Sequence, residues 1–219
     1  MDSFALEDGV VSYKGDTKDG KKGISYLEEY TPDGQYSIIL SKEGNMNDGY
    51  GEFIDAACGF QDTICIINCS DKTYYIELYD KSGNLQKRYD ANAIMEFFKK
   101  QSIHQFLFLD EKTLFINNAS GDSVLCSIGG DTLEIISKGT CEHPLYAAQT
   151  CNPQNSEKII YELLSNKIYR VVDNELILHE IEGSIVSIYV DGKDVLYSYR
   201  DKDGNKKLYL ETVDELFAN

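Results

Sequence analysis

The sequence contains no long apolar run. Although 42% of the residues are hydrophobic, no stretch approaches the roughly 18 consecutive apolar residues of a membrane-spanning helix. The opening residues, Met-Asp-Ser-Phe-Ala, lack the basic segment and apolar core of a signal peptide. We therefore expect a globular, soluble chain with no visible export signal. The compartment stays open, because a form whose leader has been removed would have the same sequence.

Cysteine and histidine are scarce. Six cysteines are too few for a disulfide framework in 219 residues, no CxxC pair occurs, and of the three histidines only His143 lies close to a cysteine, Cys141. We therefore predict no metal site and no cofactor. Cys58 would face Cys65 if Gln61 and Asp62 formed a two-residue turn. Buried free thiols are favoured over a disulfide at this position.

Basic residues are also under-represented. The chain has 21 basic and 37 acidic residues, for a formal charge of −16, which repels phosphate backbones and makes nucleic acid an unfavourable partner. The acidity is typical of a solvated surface, and a Ca²⁺ site or a cationic partner would need carboxylates that converge in space. Asp201-Lys-Asp-Gly-Asn resembles the start of an EF-hand loop, but Lys206 and Thr212 occupy the positions that need Gly and Glu. A hairpin turn explains this segment better.

The two ends of the chain are near copies of one hairpin. Residues 191–211 contain two runs of β-branched and aromatic residues around a turn rich in Asp, Gly and Asn, which is typical of a β-hairpin. Residues 7–28 repeat this pattern at a constant offset of 184. The matched pairs are Tyr13 and Tyr197, Asp19 and Asp203, Gly20 and Gly204, and Lys22 and Lys206.

The stretch between these ends contains further copies of the same unit. Strand patterns and turn residues define five units of short antiparallel strands, at about residues 3–43, 52–90, 102–138, 145–182 and 185–213. Equivalent second-strand positions recur at a mean spacing of about 46 residues, which is the period of a β-propeller with four strands per blade. The sequence therefore predicts an all-β fold, a single β-propeller domain over residues 1–219 with about five blades.

One helix is predicted, near residues 91–100. Ile94, Phe97 and Phe98 fall on one helical face, Asp90 precedes the segment as an N-cap, and Lys99 and Lys100 suit the negative end of the helix dipole. A connector laid against the edge of a blade is the favoured interpretation. A lid over one face of the domain is the alternative.

With these repeats in hand, the chain resembles the TolB-like and NHL-like six-bladed β-propellers. The hairpins that carry the resemblance are residues 195–209, 74–84 and 167–174. The resemblance implies a scaffold, a ligand-binding protein of the periplasm or cell surface, or a domain attached to a peptidase. This chain departs from that group in having about five units rather than six and no clear last strand.

The sequence favours a non-catalytic binding module for a protein or small ligand over an enzyme. Propellers bind partners at the mouth of the channel, where the first strand of each blade presents side chains. The polar residues on the predicted first strands are therefore the candidate ligand-binding residues, although a water-filled channel wall would need the same groups for hydrogen bonding alone. They are Asp55, His104, Gln105, Gln149 and Ser187.

A carbohydrate-active enzyme resembling a glycoside hydrolase is the alternative. That chemistry needs two carboxylates that flank one bond, and the candidates are Asp55 and Glu142. The chain has no tryptophan for sugar stacking, but its 16 tyrosines could take that role. No Gly-x-Ser-x-Gly elbow is present.

The last unit is predicted to have only three strands, because the first unit uses all four of its own. Two outcomes follow: a nearly closed ring with residues 207–210 as a free outer edge, or an open arc with bare blade faces. The strong acidity favours the ring, and with it a monomer.

Overall fold

The computed structural model describes residues 3–5, 10–18, 22–45, 50–140, 145–150, 155–173 and 175–218. The chain divides into two compact parts, each larger than one predicted repeat, and from here on these two parts are called the first and the second unit. The first comprises Met1–Ala119 and Cys126–Glu134, and the second comprises Ser120–Leu125 and Ile135–Asn219. In the described part of the chain, no helix is both long enough and apolar enough to cross a membrane.

The first eight strands form one antiparallel meander in the order β1 to β8. Only two residue pairs, Gly44 with Gly51 and Asn45 with Tyr50, join β4 to β5. The meander therefore consists of two four-stranded halves, β1 to β4 and β5 to β8. The strands are β1 (Ser3–Ala5), β2 (Val10–Lys18), β3 (Lys22–Tyr30), β4 (Tyr36–Asn45), β5 (Tyr50–Phe60), β6 (Thr63–Ser70), β7 (Thr73–Asp80) and β8 (Leu85–Asp90).

Three further sheets follow along the chain. Two have four strands, in the orders β12-β11-β10-β9 and β13-β14-β15-β16, and the last has three, β17-β18-β19. The strands are β9 (Ile103–Asp110), β10 (Thr113–Asn118), β11 (Ser123–Ser127), β12 (Glu134–Gly139), β13 (Leu145–Ala147), β14 (Ile159–Glu162), β15 (Lys167–Val172), β16 (Glu175–Glu180), β17 (Ser184–Asp191), β18 (Asp194–Arg200) and β19 (Lys206–Thr212). The all-β prediction is confirmed.

One five-residue turn recurs in three hairpins. In each copy the first residue donates its N–H to the fifth residue's carbonyl, and the glycine at position four donates to the first residue's carbonyl, at 2.9–3.0 Å. That glycine adopts a φ of 79–84°, a left-handed conformation that glycine reaches without steric cost. The turns are Thr31–Gln35, Asp80–Asn84 and Asp201–Asn205. The equivalent turn predicted around Asp19 and Gly20 lies outside the described residues.

The Asp201 turn also explains why this segment only resembles a calcium loop. Asp201 Oδ1 accepts hydrogen bonds from the backbone N–H groups of Asp203 and Asn205, at 3.0 and 2.9 Å. Asp80 makes the same two contacts with Ser82 and Asn84. The carboxylate is therefore used to hold the turn.

The predicted helix is present but shorter, as α1 (Asn92–Phe97). Its N-cap is Ala91 rather than Asp90, although Asp90 accepts a hydrogen bond from the Asn92 N–H at 2.8 Å. Lys99 and Lys100 lie beyond the helix and have positive φ values. The prediction of a basic last turn was therefore wrong, because the chain leaves the helical conformation before these lysines.

Two further details of the chain's helices differ from the prediction. The buried residues within α1 are Ile94 and Met95, so Met95 takes the place expected for Phe97. A second helix, which was not predicted, is α2 (Val213–Leu216), with a capping box made by Thr212 and Glu215.

Each unit has its own apolar core. Val11, Leu27, Ile54, Ile64 and Ile66 lie at the centre of the first. In the second unit, Ile168 of β15 packs with Ile185 of β17, Val195 of β18 and Leu216 of α2. The first strands of successive four-stranded groups lie close together: β5 contacts β1 and β9, and Gln149, just after β13, forms a parallel bridge with Tyr189 of β17.

Candidate functional site

A β-bulge interrupts the first strand in three of the sheets. The extra residue is Asp55 in β5, His104 in β9 and Val186 in β17, since each has no partner in the register of the neighbouring strand. A bulge redirects a side chain relative to the regular ladder and is common next to functional sites. Two of the residues predicted as ligand-binding, Asp55 and His104, therefore occupy positions of special backbone geometry.

Asp55 is mostly buried, and no described residue forms a hydrogen bond or ion pair with its carboxylate. This burial raises the pKa of Asp55 from 3.8 to about 6. The pKa of Tyr74 is raised to about 12, first by burial and then by the charges of Cys69 and Asp55. Asp55 therefore lies beside the Tyr74 and Cys69 pair, in a position that disfavours its charged form.

The two predicted residues on β9 differ from each other. His104 is exposed. Gln105 is half-buried and forms a reciprocal pair with the fully buried Asn117: Asn117 Oδ1 accepts from the Gln105 N–H at 2.7 Å, and Asn117 Nδ2 donates to Gln105 Oε1 at 3.1 Å. The Gln105 amide is therefore engaged in holding β9 to β10.

Gln149 and Ser187 both lie in the second unit and are exposed. The Gln149 backbone bonds to Ile188 and Val190 at 3.0 and 2.8 Å, which ties this segment to β17. Ser187 Oγ lies 2.9 Å from the hydroxyl of the buried Ser198. The structure thus brings Gln149 and Ser187 onto adjoining segments of this unit.

Asp55 lies on β5, and His104 and Gln105 lie on β9. These two strands are in contact within the first unit. Glu142, the second carboxylate that a glycoside hydrolase would need, lies outside the described residues.

Sequence reasoning missed a buried charge network centred on Glu77. Its fully buried carboxylate accepts hydrogen bonds from Tyr79 Oη at 2.5 Å and Asn68 Nδ2 at 3.1 Å. Arg88 Nη2 lies 2.5 Å from it and Lys42 Nζ 3.5 Å. Burial by itself would raise the pKa of Glu77, but these hydrogen bonds and positive charges together lower it. The network therefore holds an ionised glutamate inside the first unit, which is a structural role.

The signal that could have revealed Glu77 is a repeated motif. Tyr75-Ile-Glu77-Leu-Tyr79 on β7 matches Tyr26-Leu-Glu28-Glu-Tyr30 on β3 at an offset of 49, and the recurring turn follows both. In the β3 copy, Glu28 accepts from Lys14 at 2.5 Å and from Tyr30 at 2.7 Å. The repeated spacing places a tyrosine hydroxyl on a glutamate in both halves of the meander.

Sequence reasoning also missed an aromatic surface on the last sheet. Tyr209 of β19 stacks with Tyr197 and Tyr199 of β18, at ring-centroid distances of 5.6 and 5.5 Å. An open groove of about 570 Å³ lies beside this stack. Its lining combines tyrosine with both signs of charge, including Tyr199, Arg200, Asp201, Lys207 and Tyr209.

No protein family and no curated protein matches the chain in sequence. Solved structures do match it in fold. Sqt1 from Saccharomyces cerevisiae is 11% identical with a TM-score of 0.52, over 94% of this chain and 58% of that one. The β-propeller domain of the Trilobed protease from Pyrococcus furiosus, which has an open velcro topology, is 13% identical with a TM-score of 0.53, over 99% of this chain and 70% of that one.

These likenesses define the class of protein by its fold alone. Both structures are β-propellers, and the described strands form several antiparallel four-stranded sheets in the order that blades require. The chain has a β-propeller fold. It spans 58% of the length of the Sqt1 chain.

Proposed function

We propose that this chain is a non-catalytic interaction module that binds a protein partner through the first-strand residues around Asp55. The β-propeller fold supports the proposal, because such folds carry partner sites where first strands present side chains. Asp55 and His104 are both redirected by bulges on the adjacent strands β5 and β9.

The observation that carries the proposal is the state of Asp55. A mostly buried carboxylate is costly to keep without a donor, and no described residue donates to this one. A lysine or arginine from a partner would supply both the missing hydrogen bond and a compensating charge. The acidity of the chain as a whole, −16, would also attract a basic partner.

Affinity capture tests this role. Tagged wild type, Asp55→Asn and the control Asp131→Asn would be incubated with an extract of the source cells, and the bound proteins quantified by mass spectrometry. Asp131 is a fully exposed carboxylate of the same unit. We expect at least one protein that wild type and the control retain and that Asp55→Asn loses at least tenfold. Equal capture by all three baits would overturn the proposal.

We further propose that residues 1–219 form a single propeller domain of the TolB-like or NHL-like group. The shared geometry of the Asp80–Asn84 and Asp201–Asn205 turns supports this, because both belong to the hairpins that carry the resemblance. A single domain would unfold in one cooperative transition that far-ultraviolet circular dichroism and tyrosine fluorescence report at the same urea concentration. Two separate transitions would contradict it.

A further inference from the structure

The last sheet ends in a strand with an open edge. β19 is the outer member of β17-β18-β19, and no other described strand pairs with it. Val213 donates its N–H to the Lys193 carbonyl at 2.8 Å, and Asp201 donates to Asn205 at 3.0 Å. Because antiparallel hydrogen bonding alternates along a strand, these two bonds establish that the odd residues of β19 are bonded to β18. The even residues Lys206, Leu208 and Leu210 therefore direct their N–H and C=O groups to the open edge, whereas the Thr212 N–H donates to Glu215 Oε2 at 2.8 Å.

Apolar side chains are exposed on both faces of this strand. Leu208 and Leu210 are 67% and 73% exposed, and they lie on the same face as Leu196 of β18. Tyr209 is 46% exposed and lies on the opposite face, where it stacks with the tyrosines of β18. An exposed apolar edge strand is a template for pairing with another strand.

The sequence of β19 is complementary to itself in one antiparallel register. When two copies pair about Tyr209, Leu208 of one copy faces Leu210 of the other, and Lys207 faces Glu211. Leu208 and Leu210 then form the hydrogen-bonded pairs, as their outward N–H and C=O groups require. Moving the centre to Leu208 or Leu210 keeps this hydrogen bonding but places Lys207 or Glu211 opposite Tyr209. Only the register about Tyr209 provides two lysine–glutamate pairs.

We propose that β19 is a homodimer interface, at which a second copy of this chain adds its own β19 to form one six-stranded sheet. The proposal does not depend on Asp55, which lies in the other unit. Two lysines and one glutamate give β19 a formal charge of +1, so the strand is a local exception to the net charge of −16. Two strongly acidic copies can therefore approach each other here, although the overall acidity favoured a monomer.

Light scattering after size exclusion, over a range of protein concentrations, tests the association. We expect a dimer for wild type. Leu210→Pro removes an N–H that points to the open edge and leaves the bonds to β18 in place, so it should fold and yet weaken dimerisation at least tenfold. Leu208→Glu should weaken it similarly. Leu178→Glu is the matched control, since Leu178 is a 49% exposed leucine on β16, and it should dimerise as wild type does.

Disulfide trapping tests the register. Two Tyr209→Cys chains would face each other directly as a non-hydrogen-bonded pair, with Cα atoms about 4.5 Å apart, within the range that a disulfide spans. In Lys207→Cys, the two cysteines would be four residue steps, about 13 Å, apart along the strands. We therefore expect oxidation to link Tyr209→Cys chains and not Lys207→Cys or wild-type chains.

Three outcomes would overturn the proposal: wild type that stays monomeric at every concentration, a dimer that Leu210→Pro does not weaken, or equal trapping through positions 207 and 209. Circular dichroism of each variant would show that it has kept its fold. Because the interface and Asp55 lie in different units, loss of the dimer with normal partner capture would leave the proposed function standing.

Discussion

Tyr79 donates its hydroxyl hydrogen to the carboxylate of Glu77, two residues earlier on the same strand. The two side chains share one face of β7, since alternate residues of a strand point the same way. That face belongs to the core of the first unit, where Tyr79 packs with Ile64 and Ile66. The hydroxyl and the cations of Lys42 and Arg88 together keep Glu77 ionised in an apolar setting.

Glu77→Gln should cost about 3 kcal/mol of unfolding free energy at pH 7, because it removes the buried carboxylate that pairs with Arg88 and Lys42. The control is Glu111→Gln, which removes an exposed pair with Lys112 and should cost less than 1 kcal/mol. Urea denaturation measures both. The pKa of Glu77 is lowered in the folded protein, so its contribution is present above pH 4.5 and is lost on acidification. The gap between wild type and Glu77→Gln should therefore narrow towards pH 3, and a gap independent of pH would contradict this account.

Asp55→Asn should have the opposite effect and stabilise the fold at neutral pH. The folded protein holds the Asp55 proton up to about pH 6, against 3.8 without burial, so wild type loses stability as pH rises through this window. The gain on substitution should be at most about 3 kcal/mol at pH 7 and should vanish near pH 4. Urea denaturation at a series of pH values checks this, with Asp131→Asn as the control. A large loss of stability would show that Asp55 is a structural residue.

Gly83→Ala should destabilise the chain more than Gly34→Ala. Both glycines occupy position four of the recurring turn with positive φ, so each substitution carries a conformational cost of about 1–2 kcal/mol. A Cβ at Gly34 would meet no atom within 4 Å, whereas one at Gly83 would overlap the backbone oxygen of Ile39. Thermal unfolding of the two variants measures the difference. Equal losses would show that the Ile39 segment moves aside at little cost.

The thiols of Cys65 and Cys126 should resist alkylation in the folded protein. Both are buried, and burial raises the pKa of each thiol above its ordinary value, so little reactive thiolate forms at pH 8. Peptide-level mass spectrometry after iodoacetamide treatment, with and without denaturant, measures their protection. Alkylation as fast in native buffer as in denaturant would contradict the prediction.

Fewer than four free thiols in the denatured, non-reduced chain would contradict the expectation that the cysteines are mostly unpaired.

The sequence determined the strands and their turns, because both depend on neighbouring residues. Alternation of apolar and polar residues over short runs indicated the strands, and a glycine at the fourth position of each recurring turn supplied the required positive φ. The two-residue turn at Gln61 and Asp62 also follows from local geometry, and it sets Cys58 opposite Cys65 as predicted. The helix was predicted too long. It ends at Phe97, and Lys99 and Lys100 beyond it have positive φ values.

Only the tertiary structure decided the special positions of the candidate site. The bulges that leave Asp55 and His104 out of the strand register depend on how two strands pair, and register is a property of the pair. The same holds for Glu77, whose cation Lys42 comes from β4, and for Gln105, whose amide is held by Asn117 of β10. Side chains brought together by packing come from distant parts of the chain, so no local pattern in the sequence records their contact. The sequence could therefore place these polar residues on strands, while the fold decided which side chains each of them contacts.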